Sequence, residues 1–299
     1  MEIRVLQYFL TVVREGSISA AADSLHITQP TLSRQLKSLE DEFDKQLFIR
    51  GKRKIVLTED GLIFKQKAQE IIDLVSKVEN QMLEEDQELS GEIYIGCGES
   101  DSMRIITDVI AKVQEEHPSI LFHIFSGISQ DVKDKLDKGL LDFGIMIGPA
   151  DIVRYDFIKL PSTDQLGVLM NKDNKLARYS NINPIHLKDQ PLIISNQEMV
   201  QNVLSGWFGY NDEKMNIVAT YNLIYNASLM VDSGVGYAIV LDKLMNLSNS
   251  TMCFRPLKPQ LSFNLDIIWK KNTRFSKAAE FFLYKLKEEI EEQESNNRV

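Results

Sequence analysis

The sequence predicts an α/β chain in two parts, a small helical head carrying a β-hairpin and a larger region in which strands alternate with helices. Three observations predict it. Residues 17 to 43, SISAAADSLHITQPTLSRQLKSLEDEF, hold two short helical patterns joined by a tight connection. Residues 61 to 82 carry an apolar seam whose steps alternate three and four residues. Beyond Gly91 the pattern turns into short apolar runs separated by amphipathic helices, in the order βαβαβ, which implies a parallel sheet with helices on its faces.

Composition narrows the class. A chain of 299 residues suggests two domains or a little more, and 43% hydrophobic with 26% charged residues is the balance of a globular protein. No apolar run approaches the roughly 18 residues that cross a bilayer. The N-terminus enters directly into a charged amphipathic helix, so neither a secretory signal nor a membrane partner is expected. Cys97 and Cys253 are too few for a disulfide framework; two reduced buried thiols are expected, with a redox role for Cys97 as the alternative. The net charge of -9 weighs against a nucleic-acid partner, but Arg50, Lys52, Arg53 and Lys54 crowd one short segment while the acidic excess falls later. The field at the contact governs phosphate binding more than the total does.

A first helix over residues 2 to 14 places Ile3, Leu6, Leu10 and Val13 on one face, and Gly16 ends it. A second begins at Ser19, whose hydroxyl can cap it, and its alanines Ala20 to Ala22 allow a close crossing. Thr28 caps the third, with Pro30 in the first turn where a missing N–H costs nothing. Leu32, Leu36, Leu39 and Phe43 point inward, while Pro30, Ser33, Arg34 and Lys37 fall on the other side with Gln29 beside them. That outer stripe donates and accepts hydrogen bonds and carries positive charge, which suits the major groove of DNA. An ordinary helical hairpin with a solvated polar face would read the same way. Next, Gln46 to Arg50 and Ile55 to Leu57 read as strands, with Gly51, Lys52 and Arg53 at a basic tip placed to lie along phosphates; a solvated charge run is the alternative.

Thr58 caps a long helix, with Glu59 and Asp60 in its first turn. Its seam of Gly61, Phe64, Ala68, Ile71, Val75, Val78 and Met82 is too narrow to be buried alone, so it pairs with a second copy or packs on its own domain. The polar run from Glu84 to Ser90 marks a boundary. After it, strands are expected at 92 to 98, 120 to 127 and 141 to 148, with helices from Ser100 to Glu116 and from Ser129 to Lys138. The chain then leaves this unit near Leu160 to Gln165. Strands follow at 166 to 170, 191 to 195, 216 to 220 and 236 to 240, with helices at 197 to 209 and 222 to 233. A strand at 262 to 270 and a helix from Ser276 to Glu292 close the chain. The expected divisions are a winged helix-turn-helix at 1–58, a linker helix at 59–90 and an α/β region at 91–299. Within the last, one subdomain takes 91–161 and 262–299 and the other 162–261, with a cleft between them.

The segment FLTVVREGSISAAADSLHITQPTLSRQLKSLEDEFDKQLFIR, with the hairpin and TEDG after it, resembles the N-terminal domain of LysR-type transcriptional regulators. The resemblance implies a winged helix-turn-helix, a dimerising linker helix seamed by Phe64, Ala68, Ile71, Val75, Val78 and Met82, and a periplasmic-binding-protein-like effector domain. It implies a cytoplasmic homodimer or homotetramer on double-stranded promoter DNA, with RNA polymerase as a further partner and a small molecule shifting its arrangement. Gln29, Pro30, Thr31, Ser33 and Arg34 look like base-reading positions, and Lys37, Arg50, Lys52 and Arg53 like backbone contacts. Ligands of open α/β sheets bind beyond the carboxyl ends of strands. Those ends present Ser100, Gly127 and Ser129 on one side and Asn196, Gln197 and Asn222 on the other. A small anionic metabolite is therefore expected there, with Ser100 and Ser129 opening helices; plain helix capping is the alternative for each serine. A solute-binding receptor or an enzyme on the same two-lobed fold is the rival reading. However, His26, His117, His123 and His186 are scattered, no HExxH or paired CxxC occurs, and no catalytic residue, metal or cofactor is expected.

Overall fold

Leucines spaced four and three apart turn one face of a helix inward, and around Leu32, Leu36 and Leu39 the N-terminal head assembles its core. In the computed structural model the described residues are 1–50, 55–82, 89–148, 150–209 and 215–296. They form two units, Met1–Leu83 and Glu84–Val299, each described by itself.

In the first unit, α1 (Ile3–Glu15) buries Val5, Leu6, Phe9 and Val12 and ends at Gly16, whose φ of 65° is left-handed. The buried face is rotated from the one expected, since Phe9 takes the centre and Ile3 is exposed. Helix α2 (Ile18–Ser24) is capped by Ser17, which accepts the Ala20 N–H, and not by Ser19. Ala21 and Ala22 are buried, and His26 takes a left-handed φ of 53° in the turn that follows. Helix α3 (Gln29–Phe43) is capped by Thr28, as its sequence suggested. Phe43 does not join the leucines: it is exposed, its ring 5.7 Å from that of Phe64.

The strands β1 (Phe48–Arg50) and β2 (Ile55–Leu57) pair antiparallel, Phe48 opposite Leu57. Glu40 fastens the hairpin to α3 by accepting the Leu47 and Phe48 N–H groups at 2.8 and 3.1 Å. The Ile55 N–H reaches the Gly16 carbonyl at 3.1 Å, tying the other strand to the end of α1. Thr58 then accepts the Gly61 N–H at 2.9 Å and caps α4 (Glu59–Met82). A Cβ at Gly61 would lie 2.1 Å from the Leu47 carbonyl oxygen, so only glycine lets α4 come this close to the hairpin. Phe9 holds the three parts together, its ring 5.0 Å from Phe48 and 4.9 Å from Phe64.

In the second unit, β3 (Gly91–Cys97) pairs in parallel with β4 (Ile120–Ser126) and β5 (Phe143–Ile147), and α5 (Met103–Glu116) and α6 (Ser129–Asp137) make the crossovers. β6 (Tyr155–Asn171) follows, then α7 (Pro184–Leu187), β7 (Pro191–Ser195), α8 (Glu198–Trp207), β8 (Asn216–Tyr221) and α9 (Ile224–Asp232). The chain closes with β9 (Tyr237–Leu241), β10 (Met252–Pro256), β11 (Ser262–Lys270) and α10 (Lys277–Asn296). The sheet order is β4-β3-β5-β11-β6-β9-β7-β8, with β10 paired to β6.

β6 departs most from expectation. Its first half pairs with β11, from Tyr155 opposite Lys270 to Gln165 opposite Ser262. Its second half pairs with β9 and β10, so one strand runs through both lobes, past the division expected at 161/162. Pro161 explains why only residues 166 to 170 read as strand: the pairing with β11 shifts between Asn264 and Asp266, opposite Thr163 and Lys159. Proline cannot donate to the ladder and belongs at such an irregularity. Each lobe keeps its own core, one around Ile93, Phe143, Ile267 and Phe282, the other around Val168, Leu192, Leu204 and Ile239.

Candidate nucleic-acid interface and ligand cleft

The inward turn of Leu32, Leu36 and Leu39 leaves the opposite face of α3 outside. Gln29, Pro30, Arg34 and Lys37 are exposed there, and Thr31 and Ser33 are half-buried beside them. The Thr28 hydroxyl oxygen lies 2.8 Å from that of Thr31, so Thr31 belongs to the cap as much as to the surface. Arg34 folds back to donate from Nε to the Pro30 carbonyl at 3.4 Å, which keeps its guanidinium along the helix. Of the hairpin's basic residues, Lys52 and Arg53 lie outside the described residues, as does the side chain of Arg50.

The seam of α4 divides. Gly61 and Ala68 are buried and Phe64 packs against the head's own core, so these three are used inside the unit. Val75 is half-buried, while Ile71, Val78 and Met82 are exposed together with Leu74. A straight helix turns every 3.6 residues, so a seam repeating at about 3.5 drifts by some 20° per heptad and leaves the core it starts on.

In the second unit the strand ends of both lobes converge on two adjoining cavities of about 40 and 30 Å³. Ser100 and Ser129 line the smaller, Asn222 the larger, and Gln197 both. Gly127 and Asn196 line neither; Gly127 bonds through its N–H to the Cys97 carbonyl, and Asn196 is exposed with its N–H on the Tyr221 carbonyl. Nor does Ser100 open a helix, because α5 starts only at Met103 and the Ser100 hydroxyl accepts the Ser102 N–H at 3.0 Å. Ser129 is the first residue of α6, and its hydroxyl donates to Gln197 Oε1 at 3.2 Å, joining one lobe to the other.

Sequence reasoning missed the two acidic residues here. Glu99 lines both cavities and its Oε2 accepts the Ile224 N–H at 2.5 Å, at the head of α9. Asp164, on β6, accepts the Ser102 hydroxyl at 2.9 Å. The stretch around Asp164 read as a crossing segment, which hid its place, whereas Glu99 falls between the strand expected at 92 to 98 and Ser100 and could have been found. Burial, and then the charge of Glu99, push the Tyr221 hydroxyl well above its ordinary value. Burial likewise raises the Cys97 thiol, against a hydrogen bond with Ser126 that lowers it, with Glu99 adding to the rise. Cys97 and Cys253 are both free and buried. Among the described residues no group of three or more His, Cys, Asp or Glu could hold a metal ion, and no helix is long and apolar enough to cross a membrane.

The family description "Bacterial regulatory helix-turn-helix protein, lysR family" matches residues 3–62, and "LysR substrate binding domain" matches residues 86–291. The chain belongs to the LysR family. It is thus a DNA-binding transcriptional regulator with an effector-binding domain, and not an enzyme. Among its relatives, the Hca operon transcriptional activator HcaR of Escherichia coli is 28% identical over 279 residues, covering 91% of this chain and 92% of HcaR. The uncharacterized HTH-type regulator YvbU of Bacillus subtilis is 25% identical, covering 96% and 98%. The fold of this LysR member matches CbnR in complex with its target DNA at a TM-score of 0.75, covering 97% of this chain and 100% of CbnR at 16% identity. HinK of Pseudomonas aeruginosa, also of the LysR family, matches at 0.57 and 24% identity, covering 97% and 98%.

Proposed function

We propose that this LysR-type regulator reads promoter DNA through the exposed face of α3, pairs with a second copy through the distal half of α4, and answers to a small molecule held in the cleft. The carrying observation is the two-faced third helix, with three leucines buried and Gln29, Pro30, Arg34 and Lys37 turned outward. Gln29, Pro30, Thr31, Ser33 and Arg34 then touch base edges, while Lys37 and the hairpin residues Arg50, Lys52 and Arg53 hold phosphates. CbnR, whose fold this chain shares, has been crystallised on its target DNA, which supports the same docking. A homodimer or homotetramer in the cytoplasm, contacting RNA polymerase at the promoter, completes the reading.

Ile71, Leu74, Val78 and Met82 support the pairing, since exposed apolar residues along one helix gain by mutual burial. Effector binding changes DNA occupancy only as far as the ligand's affinity differs between two arrangements of the protein. Recovery of bound DNA across the genome, followed by anisotropy titration on a recovered site and its scrambled version, tests the reading. Full-length protein binding both DNAs equally, with or without Arg34→Ala, would overturn it.

A further inference from the structure

Asp164 stands on β6 against the smaller cavity, 4% exposed, and its Oδ2 has no hydrogen-bond partner among the described residues. Its other oxygen is engaged by Ser102. Glu99 lines the same cavity and commits Oε2 to the Ile224 N–H. A carboxylate offers about four acceptor positions, so each keeps unused capacity. No Lys, Arg or His lines either cavity among the described residues. Two carboxylates on one small space repel a third negative charge, and a buried acceptor without a donor is costly.

From this geometry we infer that the effector presents a cationic nitrogen, a primary ammonium or an amidinium, to Asp164 and Glu99. The inference rests on the reading of the cleft as the effector site, and it replaces the anionic metabolite expected from strand ends alone. An ammonium or amidinium brings the N–H donors that Asp164 Oδ2 lacks and the charge that offsets both carboxylates. Ile145, Ile147, Leu241 and Leu265 line the same cavity beside Ser129 and Gln197, so the cation rides on a short body that is apolar along one side. Ser129 and Gln197 both line the smaller cavity, so the entering ligand competes for the hydrogen bond that joins them.

The test uses the full-length protein with n-butylamine, benzylamine and benzamidine, against butyrate and benzoate at matched ionic strength. Hydrogen–deuterium exchange reports where each probe acts, and thermal shift gives its affinity. The expected result is protection of segments 98–102, 195–201 and 220–224 by at least one amine or amidine and by neither carboxylate. Asp164→Asn and Glu99→Gln, which retain acceptors for Ser102 and Ile224, weaken that probe at least tenfold with circular dichroism unchanged. Protection of the same segments by a carboxylate alone overturns the charge assignment and leaves the cleft reading standing. Amine protection that survives both substitutions overturns the placement on these carboxylates. No protection of these segments by any probe, up to its solubility limit, overturns the cleft reading and the inference with it.

Discussion

Glu99, two residues beyond the end of β3, accepts the backbone N–H of Ile224 at the start of α9 with an N–O distance of 2.5 Å. A side chain from one lobe thereby satisfies a donor that the first turn of a helix in the other lobe leaves unpaired, and its charge suits the positive end of that helix. Glu99→Leu should lower stability by about 1–2 kcal/mol, because the N–H loses its acceptor. Glu99→Gln, which keeps an acceptor, should lose less than half as much. Urea unfolding of the two variants side by side checks this; equal losses would mean that packing, and not the bond, is what Glu99 supplies.

Arg34→Ala should cost roughly 1–3 kcal/mol on the preferred site and loosen base choice at one position. Lys37→Ala should weaken every sequence alike and reduce the slope of log affinity against log salt by about 1. Anisotropy titrations at several salt concentrations separate the two. A sequence-independent loss for Arg34→Ala would remove it from the base-reading set.

The divided seam of α4 predicts a divided mutational response. Val78→Ser with Met82→Ser should shift self-association toward the monomer at least tenfold, with little change in the melting of the head. Ala68→Ser, inside the head's core, should destabilise that unit by about 1 kcal/mol without changing subunit number. Sedimentation velocity and thermal unfolding measure both; an unchanged assembly in the double variant rules out pairing through this stretch.

Gly61→Ala should destabilise the head by roughly 1–3 kcal/mol, since the added methyl meets the Leu47 carbonyl oxygen and α4 must move away from the hairpin. Denaturant unfolding of a fragment is not required, because loss of the head's cooperative transition is visible in the full chain by exchange of the Phe48 and Thr58 amides.

Cys97 should react slowly with aromatic disulfides near neutral pH, because burial holds its thiol above its ordinary value and the thiol stays protonated. The sign for stability follows from that direction. As pH rises through the range of a free thiol, about 8.5, the unfolded thiol ionises first, so the unfolded state binds fewer protons and stability declines. Labelling rates in native and denaturing buffer, compared with Cys97→Ser, check it; rapid native labelling at neutral pH would contradict the burial.

Much of this was legible in the sequence, and for local reasons. Thr28, Pro30 and the leucines of α3 specify their helix through spacing and capping alone, so start, face and polar stripe could all be read. The strand ends at Ser129, Gln197 and Asn222 could be placed because alternating strands and helices constrain where chain segments emerge. What escaped was non-local. Pro161 broke the pattern of β6, although β11 carries the strand across it. Phe43 has the spacing of a core residue, yet it stays exposed at the edge of the core with its ring beside Phe64, which no periodicity reports. Asp164 reads as a loop carboxylate until tertiary structure closes over it.

The continuity of β6 limits how the effector domain can respond. Lobes joined by a loose tether could swing apart at little cost, but here seventeen consecutive residues thread both, hydrogen-bonded on one side or the other for most of their length. A guest that widens the cleft would have to twist or bend that ribbon, so part of its binding energy would go into deforming paired backbone. Selectivity would then draw on the stiffness of the backbone as well as on the chemistry of the walls.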